Sequence, residues 1–329
     1  MAGKRYLLIV NPHSGTGSVK IAELEERVRV AVEGKGDTLV IRHSEYAGHC
    51  ALLARQAVKR RFYAVIAAGG DGTVNEIARE LRGSKTILGI IPIGSGNGLA
   101  RHLGLTIDID NALRIIGADH PSACDYGSAN GRPFFCTFGL GFDAAVSQAF
   151  THAKRRGLTS YLKSALKEYR KYTPRDYEIT ISGHVIKVKA FLLAVCNASQ
   201  YGNNAYIAPD ASIRDGLLDI TVVHAGNPLT RALLGVDLLT GYIRRNLLVQ
   251  TFRASDAVIT STQGPAHLDG EPTEMPAKIR IRCHAGRLDI FTDPKHQRFH
   301  PLITPLRSFH SDFWFHVRYA LRNLPFIRK

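Results

Sequence analysis

The chain has 329 residues, a hydrophobic fraction of 45% and a formal charge of +15. That length suits two domains better than one core, and the hydrophobic content is that of a globular chain, not a disordered or fibrous one. The charge predicts attraction to nucleic acid, anionic lipid or phosphorylated substrates without choosing among them. Five scattered cysteines without C-x-x-C spacing fit reduced thiols in the cytoplasm better than a zinc site or disulfide framework. Tyr6–Val10 is too short for a signal-peptide core, and no apolar stretch reaches the eighteen or so residues of a membrane span. The expectation is a cytoplasmic protein able to touch a membrane surface.

In chain order, Arg5–Val10 reads as a strand and Val19–Val32 as a helix. Asp37–His43 reads as a strand and Ala51–Lys59 as a helix. Phe62–Ala68 is a buried-strand run that stops at Gly69-Gly70-Asp71-Gly72, with a helical pattern from Thr73. Thr86–Pro92 is another such run, ending in Ile93-Gly94-Ser95-Gly96-Asn97-Gly98 before a further helix. Alternation of this kind predicts a parallel sheet covered on both faces. In such sheets the loops at the carboxyl ends of neighbouring strands share one ligand crevice.

Three of those loops repeat one design. Val10-Asn11-Pro12-His13-Ser14-Gly15-Thr16-Gly17-Ser18 follows the first strand, and the loops around Asp71 and Ser95 follow the third and fourth. Glycines let the backbone approach a ligand, and a helix start behind them aims N–H groups and a positive dipole end at an anion. Asn11, Ser14, Gly15, Gly70, Gly72, Thr73 and Ser95 offer donors for phosphates. Asn75, Glu76 and Asn97 stand close enough in sequence to fix loop shape or a ribose, or to act as plain caps. Asp71 is out of place beside phosphate unless it organises Mg²⁺, handles a proton or caps a helix.

After about Pro121 the pattern becomes β-rich, with short runs at Phe134–Phe138, Tyr177–Ile181, Val185–Cys196, Leu217–Val223, Ala257–Thr260, Ala277–Cys283 and Leu288–Phe291. Asn130-Gly131 and Ser182-Gly183 are hairpin signals. Two helices interrupt, about His152–Tyr172 and Leu229–Val249, the second opened by Asn227 as cap and Pro228. These runs predict an antiparallel β-sandwich over 121–292, behind an α/β domain over 1–120 and across a cleft from it. The 152–175 segment sets eight Lys or Arg against Glu168, as a solvated basic face or as a contact for an anionic membrane or acidic partner. A tail over 293–329 carries Phe309, Phe313, Val317, Ala320 and Leu324 at helical spacing, with Arg307, Arg318 and Arg322. It suits a membrane interface, a helix packed on its own domain, or a contact to a second copy in a homodimer.

Two acidic turns complete the chemistry. In His267-Leu268-Asp269-Gly270-Glu271-Pro272, Asp-Gly is a common hairpin turn, and Glu271 is either solvated or, like Asp71, an acceptor for the proton of an attacking hydroxyl. Arg214-Asp215-Gly216-Leu217-Leu218-Asp219 could hold a cation through a carboxylate and backbone carbonyls, the oxygen ligands Mg²⁺ prefers.

Asn11-Pro12-x-Ser14-Gly15, Gly69-Gly70-Asp71-Gly72-Thr73-x-Asn75-Glu76, Pro92-x-Gly94-Ser95-Gly96-Asn97, Asp215-Gly216-Leu217-Leu218-Asp219 and Leu268-Asp269-Gly270-Glu271 occur in this order. Together, over residues 5 to about 292, they resemble the diacylglycerol kinase catalytic-domain superfamily, which includes bacterial lipid kinases, sphingosine kinases and ceramide kinases. The resemblance implies phosphorylation of a diacylglycerol- or sphingoid-type lipid hydroxyl with ATP and Mg²⁺. It implies nucleotide contacts from Asn11, Pro12, His13, Ser14, Gly15, Ser44, Gly70, Asp71, Gly72, Thr73, Asn75, Glu76 and Ser95. It assigns Glu271 as proton acceptor, Asp71 as base or Mg²⁺ organiser, and Asp215 with the carbonyls of Ser212 and Leu217 as a structural Mg²⁺ site. One departure is Gly98, where soluble bacterial diacylglycerol kinases carry an Asp, which brings the loop closer to the sphingosine and ceramide kinase form. The alternatives are an NAD kinase-like small-molecule kinase and a non-catalytic basic nucleic-acid-binding protein. Against the latter, no nucleic-acid module is recognisable, and none is expected to be a specific partner.

Overall fold

The computed structural model of the chain describes residues 3–14, 20–105, 107–151, 172–262, 264–294 and 299–322. The basic 152–171 stretch and the last seven residues of the tail therefore lie outside the described residues. Contacts divide the chain into one unit of Met1–Ala123 with Leu288–Lys329 and another of Cys124–Arg287.

The first unit alternates β1 (Arg5–Val10), α1 (Ile21–Glu33), β2 (Thr38–His43), α2 (His49–Lys59), β3 (Ala64–Gly69), α3 (Asp71–Leu81), β4 (Ile87–Pro92), α4 (Gly98–His102) and α5 (Ile109–Ala118). The strands are parallel in the order β2-β1-β3-β4, and Ile290 of a late strand adds alongside Leu88 of β4. Every residue of β3 and β4 is buried, because helices cover both faces; this is why both read as unbroken apolar runs. Helical spacing supplies the cover: Leu24, Val28 and Val32 on α1, and Val74, Ile77, Ala78 and Leu81 on α3, are all buried. The parallel order sets the carboxyl ends of β1 to β4, and the loops that leave them, along one edge.

The second unit carries β5 (Pro121–Ala129), β6 (Arg132–Phe134), β7 (Thr137–Gly141), α6 (Phe142–Thr151), β8 (Arg175–Ile181), β9 (His184–Cys196) and β10 (Leu218–His224). The helix Pro228–Thr240 follows, then β11 (Val249–Ala254), β12 (Asp256–Ser261), β13 (Pro265–Leu268), β14 (Glu271–Glu274) and β15 (Lys278–Phe291). It is an antiparallel β-sandwich domain running β14-β13-β7-β9-β8-β12-β15, with β10 on β9 and β11 on β10. Successive residues of β9 point to opposite faces. Leu193 and Val195 join a core with Phe134, Phe138, Ile179, Ile259 and Ile281. Leu192, Ala194 and Cys196 join a second core with Ile207, Leu234 and Ile243, and Phe191 joins it too because the β9–β10 register shifts at that point. The dipeptides Asn130-Gly131, Ser182-Gly183 and Asp269-Gly270 each take two positive φ angles and close two-residue hairpins, as the right-handed strand twist requires.

Three element readings change. The Leu229–Val249 helix stops at Thr240, where Gly241 takes a left-handed φ of 79°, and β11 follows. The Asn227 cap holds, its side chain accepting from the Thr230 N–H at 2.9 Å. Phe134–Phe138 splits between β6 and β7, because the N–H groups of Phe135, Cys136 and Thr137 turn to the Asp269 carboxylate. The runs 277–283 and 288–291 are one strand, β15.

The tail forms a helix, Ile303–Arg322, assigned to the first unit. Among the described residues no helix is long and apolar enough to cross a membrane.

Candidate functional site

The four strand-end loops of the first unit are joined by side chains named in the sequence. Asn11 donates through Nδ2 to Thr73 Oγ1 at 3.0 Å, and the Ser14 hydroxyl lies 3.3 Å from the same oxygen. Asn11 also shapes its own loop, accepting from the His13 N–H at 3.0 Å across Pro12. Ser44 is buried at the end of β2, and its N–H donates to the Val10 carbonyl at 2.8 Å. The Gly48 N–H donates to Glu76 Oε1 at 3.3 Å, which ties the β2 loop to α3. Gly15 lies outside the described residues.

Asp71 ties the third loop to the fourth. Its Oδ2 accepts from the Asn97 N–H at 2.7 Å and its Oδ1 from the Gly98 N–H at 2.6 Å. Burial pushes this carboxyl above the ordinary Asp range, and the Gly98 and Asn97 N–H groups and the Arg101 charge pull it back. Asn97 donates onward through Nδ2 to the Gly94 carbonyl at 2.8 Å. Ser95 and Gly72 stay exposed at the loop tips. Beneath them Asn75 Nδ2 and Glu76 Oε2 are buried without a hydrogen-bond partner among the described residues. Buried orphan polar atoms are costly and mark a place where a ligand or water completes the set. An open donor and an open acceptor on the helix that follows a glycine-rich strand-end turn fit a bound nucleotide.

The second unit holds Glu271 on a rigid mount. Asp269 and Gly270 form the tight turn between β13 and β14, so Glu271 opens β14 opposite Leu268 and is exposed. Asp269 itself is consumed by the fold, accepting from Phe135, Cys136 and Thr137 N–H groups at 2.8, 2.7 and 2.9 Å. Burial pushes its carboxyl up to about 6, against the pull of those N–H groups and of His267. His267 Nδ1 accepts from the Gly270 N–H at 3.2 Å, which leaves Nε2–H to face Asp143 Oδ2 at 3.1 Å. Tyr201 donates to the same oxygen at 3.0 Å. Motif reading passed over this Asp143–His267–Tyr201 network. Its one sequence signal was a histidine in a strand buried on both sides.

Asp215 sits in the loop before β10. Its Oδ1 accepts from the Leu217 N–H at 3.1 Å, and its Oδ2 pairs with Arg253, whose Nε also lies 3.5 Å from Asp219 Oδ1. Asp125 braces the loop by accepting from the Gly216 N–H at 2.7 Å. Among the described residues no three His, Cys, Asp or Glu side chains cluster as a metal site. The donor set, one carboxylate with the neighbouring Ser212 and Leu217 carbonyls, nevertheless has the chemistry of a hard cation, and Asp219 Oδ2 is buried without a partner among the described residues.

Parallel strands whose glycine loops lock around one aspartate, with an antiparallel domain that presents a carboxylate on an Asp-Gly turn, define a nucleotide-dependent kinase class. Residues 5–129 match the diacylglycerol kinase catalytic domain, and residues 137–292 match the YegS C-terminal NAD kinase beta sandwich-like domain. The probable lipid kinase YegS-like of Chromohalobacter salexigens is 30% identical over 262 residues, covering 78% of this chain and 84% of that protein. The diacylglycerol kinase of Bacillus subtilis is 27% identical over 276 residues, covering 82% and 90%. A crystal structure of a diacylglycerol kinase from Bacillus anthracis shares the fold with a TM-score of 0.68 at 21% identity, covering 89% of this chain and 98% of that one. The chain belongs to the diacylglycerol kinase catalytic-domain family of lipid kinases, phosphotransferases with an alcohol group as acceptor.

Proposed function

We propose that this chain transfers the γ-phosphate of ATP to the hydroxyl of a diacylglycerol- or sphingoid-type lipid, with Mg²⁺. The observation that carries the reading is the locked set of four strand-end loops, together with the buried Asn75 and Glu76 atoms on α3 that lack a hydrogen-bond partner among the described residues. Phosphoryl transfer asks mainly for positioned phosphates, neutralised charge and an activated acceptor. Asn11, Ser14, Gly70, Gly72, Thr73 and Ser95 position the phosphates, and Ser44, Asn75 and Glu76 orient the rest of the nucleotide. Mg²⁺ carried on the nucleotide would supply charge neutralisation at the β- and γ-phosphates. Glu271 takes the proton of the attacking hydroxyl, because it is exposed and mounted on a fixed turn. Asp71 has both oxygens bound to backbone N–H groups, so its part is to set the loop.

Asp215, with the Ser212 and Leu217 carbonyls, is a weakly held structural cation site in this reading, because Arg253 already neutralises its carboxylate. Purified protein given labelled ATP and a mixed lipid extract should label a lipid only when Mg²⁺ is present. Glu271→Gln should lower that turnover by roughly 10²–10⁴. Labelling of NAD but of no lipid would instead favour a small-molecule kinase.

The protein works at an anionic membrane surface. The C-terminal helix exposes Leu306, Phe309 and Phe313 on one stripe, with Leu306 and Phe313 at 64% and 62% exposure. Exposed Arg307 lies beside that stripe.

A further inference from the structure

We propose that the C-terminal helix positions the fourth nucleotide loop, through Asp312 acting on Arg101; this rests on the kinase reading above and deepens it. The helix lies outside both family matches, which cover residues 5–129 and 137–292. It nevertheless belongs to the unit that carries the nucleotide loops. Its inward residues explain the attachment. Pro305 is buried, and Ser308 and Asp312 follow at three and seven residues, on the same face of the helix. Arg101 lies on α4, directly behind the loop Gly94–Gly98.

The Arg101 guanidinium is spread over both elements. Nε donates to the Gly96 carbonyl at 3.1 Å, Nη1 to the Ser308 hydroxyl at 3.1 Å and Nη2 to Asp312 Oδ2 at 2.8 Å. Only 8% of the Arg101 side chain is exposed, so the ion pair is weakly screened by solvent. A planar fork with its donors divided in this way fixes the distance between helix and loop. The loop it fixes is the one whose Asn97 and Gly98 N–H groups bind Asp71. Arg101 also adds positive charge beside that carboxylate. Asp312 is thus three contacts away from the carboxylate that sets the nucleotide loops, through Arg101, the Gly96 carbonyl and the Asn97 and Gly98 N–H groups, and it acts as a positioning residue for ATP, not as a catalytic one.

The test compares nucleotide and lipid handling in full-length protein. Asp312→Asn should raise the KM for ATP about tenfold while the KM for lipid stays within twofold, and Asp312→Glu should recover most of the affinity. The pair Arg101→Met with Asp312→Met removes both charges of this largely buried pair together, which restores packing without restoring the hold on Gly96. It should regain thermal stability yet keep the raised KM for ATP. An unchanged KM for ATP in Asp312→Asn overturns the inference. So does a Met pair that recovers both stability and ATP affinity, or a parallel rise of both KM values as Tm falls, because each marks a merely structural contact. Direct binding of a fluorescent ATP analogue separates the two levels. Wild-type protein that binds none overturns the kinase reading and this coupling with it, whereas equal binding by wild type and Asp312→Asn overturns the coupling alone.

Discussion

Gly94 and Gly70 touch backbone to backbone: a Cβ added at Gly94 would stand 2.4 Å from the Cα of Gly70 and 2.9 Å from Asn97 Oδ1. The third and fourth strand-end loops can approach this closely only if neither carries a side chain at the contact. Gly94→Ala must therefore push two backbones apart, a cost of about 1–3 kcal/mol for overpacking. The displacement falls where phosphates are to be held. Calorimetry should show ATP binding lost in Gly94→Ala, with a Tm drop of a few degrees. Wild-type affinity in this variant would show that the two loops do not serve one ligand.

Asp71→Asn separates a structural carboxylate from a chemical one. The substitution places an NH₂ group against one of two N–H donors that now point at a carboxylate, Asn97 or Gly98. Hydrogen bonds to a charged group contribute about 1.5–3 kcal/mol each. Losing one should lower Tm by several degrees and weaken ATP binding more than tenfold. Abolished turnover with unchanged Tm and ATP binding would assign Asp71 to the chemistry instead.

How far the sequence revealed these features follows from how each residue is surrounded. The strand Arg5–Val10 was readable to the residue, because apolar side chains must fill both faces of a covered parallel strand. β5 was unreadable: Pro121-Ser122-Ala123-Cys124-Asp125-Tyr126-Gly127-Ser128-Ala129 looks like a loop, and its Asp125 is held by the Gly216 and Gly286 N–H groups. Glycine motifs announced the loops of the first unit, since backbone approach leaves a compositional trace. Arg101 leaves none. Its partners lie 207 and 211 residues further along, and no local pattern encodes such a meeting.

Asp269 predicts a pH signature. Its carboxyl sits at about 6 in the folded protein, above the ordinary value of 3.8 that it regains on unfolding. The folded state therefore binds the proton more tightly. Its stabilising contribution is complete below pH 3.8 and is lost as pH rises toward 6. The shift corresponds to about 3 kcal/mol. Urea unfolding at pH 4, 5, 6 and 7 should show wild type losing up to that amount relative to Asp269→Asn, whose side chain does not titrate. A difference between the two proteins that stays flat with pH would rule this out.

Arg253 predicts the metal response of the Asp215 loop. The guanidinium already neutralises Asp215 and approaches Asp219, so removing divalent cations with EDTA should move the wild-type Tm by less than about 1 °C, the scale of a change of a few tenths of a kcal/mol. Arg253→Ala leaves two carboxylates without that charge. Its Tm should rise with added Mg²⁺ and fall with EDTA, while Asp215→Ala should lower stability and turnover together. A wild-type Tm that collapses in EDTA would mean that a bound metal, not Arg253, supplies the charge.

The charge of +15 allows two partners, and the C-terminal helix discriminates between them. Nucleic acid would be bound through phosphate contacts alone and released steeply by salt. A bilayer would use the basic residues and the apolar stripe together, with anionic lipid attracting each nearby Lys or Arg by about 1 kcal/mol. Leu306, Phe309 and Phe313 are exposed on that stripe and contribute nothing to DNA backbone binding. Phe309→Ser with Phe313→Ser should therefore abolish flotation with phosphatidylcholine vesicles containing phosphatidylglycerol. Neither residue faces Arg101, so ATP binding in solution should stay at the wild-type level. Wild-type protein should ignore vesicles of phosphatidylcholine alone and should shift DNA only at low salt. Tight DNA binding at physiological salt, with no vesicle association, would transfer the charge to a nucleic-acid partner and remove the membrane from the account.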